Sequence, residues 1–117
     1  MATRVLVVGA GETGSRVVQQ LRKSGNIDII VLDPRPNPAG VESGVIDKVD
    51  LTEALTPLTL DYIIDQCHPD LILLASHADD MGLGNVVGMD MLSRSLREEL
   101  AAISPVPVIE VERAMGS

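Results

Sequence analysis

The amino-acid sequence predicts one α/β domain, in which a parallel, doubly wound sheet of five strands carries helices on both faces. Three observations predict it: five short aliphatic runs, helical apolar spacing between most of them, and Gly or Pro at most junctions. The 117 residues suffice for one domain, 1–117, and one core. Tyr62 is the only aromatic residue, so the core is expected to be aliphatic, as is typical of buried parallel strands.

The first half of the chain begins with a strand at 4–8, a β-branched run that ends at a glycine. A helix over 12–24 follows, since its apolar residues fall on one face, and Gly25 stands where a helix ends. The second strand is predicted at 27–32, before an Asp-Pro pair. Residues 37–44 are expected to form a loop or weak helix.

The second half continues the alternation. A third strand is predicted at 45–51, and a helix from Thr56-Pro57, where Thr occupies the N-cap and Pro the first helical position. The fourth strand is expected at 71–75, after Pro69. The remaining elements are a loop over 77–88, a helix striped by Leu92, Leu96, Leu100 and Ile103, a fifth strand at 106–111 and a tail at 112–117.

Right-handed crossovers between these strands predict the spatial order 3-2-1-4-5. Ligands of such sheets bind at the carboxyl ends of the strands, where the strand order reverses. Four segments should therefore meet at one place: the loop after strand 1 and the ends of strands 2, 3 and 4.

The first of these segments has the pattern Gly-x-Gly-x-x-Gly, directly after a buried strand and at the start of a helix. The first glycine permits a tight turn, the second lets a pyrophosphate approach backbone N–H groups, and the third lets the helix pack close to the strand. The alternative is a turn that needs glycines for geometry alone. The candidate cofactor-binding residues are Gly9, Ala10, Gly11, Glu12, Thr13 and Gly14.

The second segment is Asp33-Pro34-Arg35, at the end of strand 2. Asp33 follows Gly14 at the spacing expected of the carboxylate that binds the adenosine ribose, which favours NAD over NADP. Arg35 weakens this preference, because a nearby arginine accommodates a 2′-phosphate or covers the adenine. Alternatively, Asp33-Pro34 only begins a turn.

The third and fourth segments have weaker signals. Asp50 and Leu51 are candidates for binding the adenine. An equally supported and compatible interpretation is that Asp50 or Thr52 caps a short helical turn. Ala75 and Ser76 are small and leave room for the second ribose. His77 is a weak catalytic candidate, and we prefer to interpret it as a surface-loop residue. Its spacing from Asp79 and Asp80 matches no metal motif, so no metal site is predicted.

Composition excludes several partners. The formal net charge is −8 and there is no basic run, so neither nucleic acid nor an anionic membrane is an expected partner. Cys67 is the single cysteine, which rules out an intrachain disulfide. The apolar run after the N-terminus is too short for a signal peptide or a membrane helix, so we expect a cytoplasmic protein.

Residues 3–33, with the Gly-Ala-Gly-x-x-Gly loop and the Asp at the end of strand 2, resemble the opening of the NAD(P)-binding Rossmann superfamily. Size and layout are most similar to the TrkA N-terminal domain, a cytoplasmic regulator of potassium transport. The resemblance assigns cofactor binding to Gly9, Gly11, Gly14 and Asp33. The turn after strand 3 departs from the TrkA pattern and is more similar to dehydrogenases and epimerases.

The predicted function is an NAD(H)-binding regulatory or sensor module, linked to ion transport if the resemblance to TrkA holds. We expect a homodimer that can also bind a larger protein partner. We expect no complete enzyme, since 117 residues leave no room for a catalytic domain. The alternative is an NAD(P)-dependent oxidoreductase whose active site is completed by a dimer partner or another chain. NADP or another adenine nucleotide is the less favoured ligand.

Overall fold

The computed structural model describes residues 2–75 and 89–111, with the backbone alone for 89–93. Strands and helices alternate through most of the chain, because aliphatic runs are separated by segments of helical periodicity. The elements are β1 Thr3–Val8, α1 Glu12–Arg22, β2 Ile27–Leu32, α2 Ala39–Glu42, α3 Leu60–Cys67, β3 Leu71–Leu74, α4 Met89–Ile103 and β4 Val108–Glu110.

The sheet is parallel throughout, in the order β2-β1-β3-β4. β1 pairs with β2 from Thr3 opposite Ile27 to Val8 opposite Leu32, and with β3 on its other side. The chain therefore moves outward from β1 first to one edge and then to the other. This reversal confirms the α/β class, the parallel sheet and the predicted switch point beside β1.

The prediction of five strands is wrong for the described residues, which form four. The predicted strand at 45–51 meets β2 only through an isolated bridge between Leu51 and Leu32. One reason is local: the Asp50 carboxylate accepts the Val31 N–H at 2.8 Å, in the place of a strand carbonyl. Charged residues at 47 and 48 also interrupt the apolar run. Pairing this segment with β2 over a greater length would therefore bury little apolar surface.

Helices cover both faces of the sheet. On one face, side chains of α3 and α4 pack on β1 and β3 around Leu6 and Ile72. On the other face, Val18 of α1 packs on Val5 and Val7. The core is aliphatic, as composition predicts. Among helices in the described ranges, none combines the length and apolar character needed to cross a bilayer.

Helix boundaries depart from prediction by up to one turn. α3 begins at Leu60, because the hydroxyls of Thr56 and Thr59 first close a turn of their own; the Thr59 hydroxyl accepts the Thr56 N–H at 2.9 Å. α1 ends at Arg22, and Gly25 follows with φ 77°. The bonds between the Thr56 and Thr59 hydroxyls and nearby backbone groups compete with helical hydrogen bonds, which delays the start of α3.

Candidate functional site

The predicted segments meet at the carboxyl end of the sheet. Backbone hydrogen bonds join neighbouring strand ends there, so the glycine loop, the end of β2, the 50–51 segment and the end of β3 lie side by side. These bonds run from the N–H of Gly9 to the carbonyl of Leu32 (2.7 Å), from Asp33 to Leu51 (3.1 Å) and from Ala75 to Val8 (2.8 Å).

The glycine loop has the geometry that its sequence pattern predicts. Gly9 has φ 103°, a conformation that favours glycine. A Cβ on Gly14 would overlap the carbonyl oxygen of Gly9, so only glycine lets α1 approach β1 this closely. Gly11 precedes the first helical residue, Glu12, and thus the N–H groups at the start of α1 lie beside the loop.

Both backbone polar groups of Ala10 form hydrogen bonds with the 33–40 segment. The Ala10 N–H donates to Asp33 Oδ2 at 2.8 Å, and its carbonyl accepts the N–H of Gly40 at 2.8 Å. A Cβ on Gly40 would overlap that carbonyl and the Ser15 hydroxyl. The 33–40 segment therefore holds the glycine loop in place through these two hydrogen bonds. The sequence does not single out Gly40, which lies in the 37–44 segment predicted as a loop or weak helix.

Asp33 accepts hydrogen bonds from groups of the chain itself, and its role in binding the adenosine ribose stays a prediction. Its carboxylate is fully buried and accepts four hydrogen bonds. Oδ1 accepts the backbone N–H (2.8 Å) and Nε (3.1 Å) of Arg35, while Oδ2 accepts the Ala10 N–H (2.8 Å) and Arg35 Nη2 (3.1 Å). A carboxylate offers about four acceptor sites, so all are used within the chain. Pro34, between the two partners, is exposed.

Asp50 also binds the backbone. Besides the Val31 N–H at its carboxylate, its own N–H donates to the Val31 carbonyl at 2.9 Å. Leu51 is half-buried and packs against the core cluster beneath α3 and α4. The structure thus places both residues next to β2, with Asp50 exposed and holding the strand edge.

The remaining candidates divide into described and undescribed residues. Glu12 is exposed and forms an ion pair with Arg16 at 3.1 Å, whereas Thr13 and Ala75 are buried. Ser76 and His77 lie outside the described residues. The buried Cys67 thiol lies on α3; burial, followed by the negative charge of Asp50, raises its pKa, and Arg4 partly offsets this.

No family model matches the chain. Among curated proteins it is similar to formate-dependent phosphoribosylglycinamide formyltransferases of Burkholderia mallei (strain SAVP1) and Burkholderia pseudomallei (strain K96243). Each is 32% identical over 72 residues, which is 62% of this chain and 17% of the relative. The chain therefore spans only a small part of these relatives.

Solved structures also resemble the chain. A dTDP-glucose 4,6-dehydratase from Bacillus anthracis str. Ames, in complex with NAD, aligns with TM-score 0.57 and 19% identity over 95% of this chain and 37% of that one. An N5-carboxyaminoimidazole ribonucleotide synthetase from Thermotoga maritima aligns with TM-score 0.47 and 15% identity over 91% and 24%. The dehydratase supports a Rossmann-like α/β fold. The resemblance to the TrkA domain stays a prediction.

Proposed function

We propose that this chain is a nucleotide-binding module that holds NAD(H) at the glycine loop and serves as a regulator or sensor. The observation that carries the proposal is the loop itself: Gly9 turns sharply, Gly14 brings α1 against β1, and the start of α1 faces the sheet's carboxyl end. A helix N-terminus offers N–H donors and a positive dipole to a pyrophosphate. The NAD-bound dehydratase of similar fold supports the same choice of ligand.

Arg35 determines how a ribose would be recognised. While its guanidinium occupies Asp33, the carboxylate has no acceptor left for ribose hydroxyls. NAD binding therefore requires Arg35 to leave Asp33, which its 40% exposed side chain permits. For NADP, Arg35 would contact the 2′-phosphate instead.

Calorimetric titration with NAD, NADH, NADP and ATP tests the proposal. We expect NAD or NADH to bind with a Kd below about 1 mM, and Gly11→Val to weaken binding about 100-fold by filling the pyrophosphate position. Circular dichroism of the variant checks that it folds. If no dinucleotide binds the folded wild-type chain, the proposal is wrong.

Arg35→Ala separates the two cofactors. Removing the guanidinium frees Asp33 acceptors for ribose, so NAD affinity should rise while NADP affinity falls. Arg94→Ala is the matched control, because Arg94 is an exposed arginine on α4. An NAD-to-NADP ratio that is the same in both variants would remove Arg35 from the site.

A phosphoribosyl compound is the second candidate ligand. The match to phosphoribosylglycinamide formyltransferases favours it, since the name of these enzymes specifies a ribose that carries a phosphate. Such a phosphate would use the same helix N-terminus. Ribose 5-phosphate, added to the same titration series, decides between them: binding of ribose 5-phosphate without NAD would select this candidate.

A further inference from the structure

The outer edge of β2 carries unpaired backbone. Thr3 N–H bonds the Asn26 carbonyl and Gly9 N–H bonds the Leu32 carbonyl, so even-numbered residues of this stretch face β1 and odd-numbered residues face outward. Val31 is satisfied on the outside by the 50–51 segment. Within the described residues, the outward N–H and carbonyl of Ile27 and Ile29 have no partner.

A groove lies beside this open edge. It is a cavity of about 190 Å³ between α1, β2 and the 46–50 segment. Its apolar floor and its charged rim are formed by different residues. The floor consists of Val18, Ile29, Val31 and Ile46, and the rim of Arg22, Asp47, Lys48 and Asp50.

Charge distinguishes this groove from the chain as a whole. The chain has 17 acidic and 9 basic residues, so two copies repel each other over most approaches. The rim has two of each sign. Arg22 bonds the Val45 carbonyl and Asp50 bonds Val31, whereas the exposed side chains of Asp47 and Lys48 have no partner in the described part of the chain.

We propose that the outer edge of β2, with the neighbouring groove, is the interface between two copies of this chain. A two-fold axis would pair the Ile27–Ile29 edges in antiparallel fashion and join the two sheets into one. A two-fold interface brings the same patch of both copies together, so it suits a surface with adjacent opposite charges. Lys48 of one copy faces Asp47 of the other. An unpaired strand edge is a template for this pairing.

Amide exchange followed by NMR, together with sedimentation velocity, tests the interface on the full chain. As concentration rises, the sedimenting mass should move from monomer towards dimer, and exchange of the Ile27 and Ile29 amides should slow. The Ile30 amide is the internal control, since it faces β1 and is protected at every concentration. The test needs no ligand, so its outcome is separate from that of the proposed function.

Charge reversal locates the interface. Lys48→Glu should raise the dimer Kd about tenfold, because each contact occurs twice in a two-fold dimer. Combining Asp47→Lys with Lys48→Asp should restore wild-type affinity. Arg94→Glu is the matched control, as it changes net charge equally on exposed α4 and should leave the Kd within about twofold.

Three outcomes overturn the proposal. The first is a chain that stays monomeric up to about 1 mM. The second is a dimer that Lys48→Glu weakens no more than Arg94→Glu, which would put the interface elsewhere. The third is a dimer in which the Ile27 and Ile29 amides still exchange rapidly, since the strand edges would then be unpaired.

Discussion

Two aspartates next to β2, Asp33 after its carboxyl end and Asp50 beside its outer edge, have different surroundings. At its carboxyl end, Asp33 is fully buried, with Arg35 as countercharge and the Ala10 N–H as a donor. On its outer edge, Asp50 is exposed and bonds the Val31 N–H. The sequence predicts that both bind ligand. In this structure, each carboxylate accepts a hydrogen bond from a backbone N–H group.

This difference shows where sequence patterns constrain structure most. At the glycine loop, the required close approach leaves one residue type possible, so the pattern and the geometry agree. Beside the outer edge of β2, Asp47, Lys48 and Asp50 interrupt an apolar run. The Asp50 carboxylate there accepts the Val31 N–H, in place of a carbonyl of the predicted third strand. Steric exclusion is therefore a stronger predictor here than hydrophobic alternation.

The largest expected effect is on the free energy of unfolding, and it should differ between substitutions at Gly14 and at Gly44. Gly14→Ala should lower the free energy of unfolding by about 3 kcal/mol or more, since its Cβ overlaps the Gly9 carbonyl. Gly44→Ala, in the segment outside β2, should cost about 1 kcal/mol, because its φ of +84° is strained for alanine but nothing lies near its Cβ. Urea unfolding measures both, and equal losses would contradict the comparison.

The next effect concerns the buried carboxylate. Asp33→Ala should lower the free energy of unfolding by about 2 kcal/mol, because the Ala10 N–H and the Arg35 guanidinium lose their acceptor. Asp33→Asn is the matched control and should cost less, since its amide oxygen still accepts the Ala10 N–H. A larger loss for Asn than for Ala would argue against this bond.

Asp50→Ala should have a smaller effect, of about 1 kcal/mol or less, since water can reach the Val31 N–H on the exposed edge. Hydrogen exchange at Val31 should quicken in this variant while exchange at Ile30 is unchanged. If Asp50→Ala destabilised the chain as much as Asp33→Ala, burial would not be what distinguishes the two sides.

The smallest effect is a pH dependence through Cys67. Its pKa is raised in the folded chain, first by burial and then by Asp50, so folding favours the neutral thiol. This contribution is complete below the unfolded thiol pKa of about 8.5 and is lost as pH rises through the folded value. The stability advantage of the wild type over Cys67→Ala should therefore narrow as pH rises above about 8. A constant difference would contradict the raised pKa.

Much of the fold follows from local pattern. β1, β2 and the start of α1 lie where aliphatic runs and the glycine motif predict them. Errors occur where polar side chains compete for backbone groups, as at Thr56 before α3 and at Asp50 beside β2. Such competition depends on which partner folding brings near, and periodicity carries no information about it.

The amino-acid sequence by itself determined the parallel α/β class and the glycine loop, because the constraints behind them act between residues close in the chain. Tertiary structure decided how that loop is held. Ala10 and Asp33 are 23 positions apart, and Val31 and Asp50 are 19 apart, so only the folded sheet brings each N–H to its carboxylate. Gly40 acquires its importance in the same way, by packing on a peptide that lies distant in sequence.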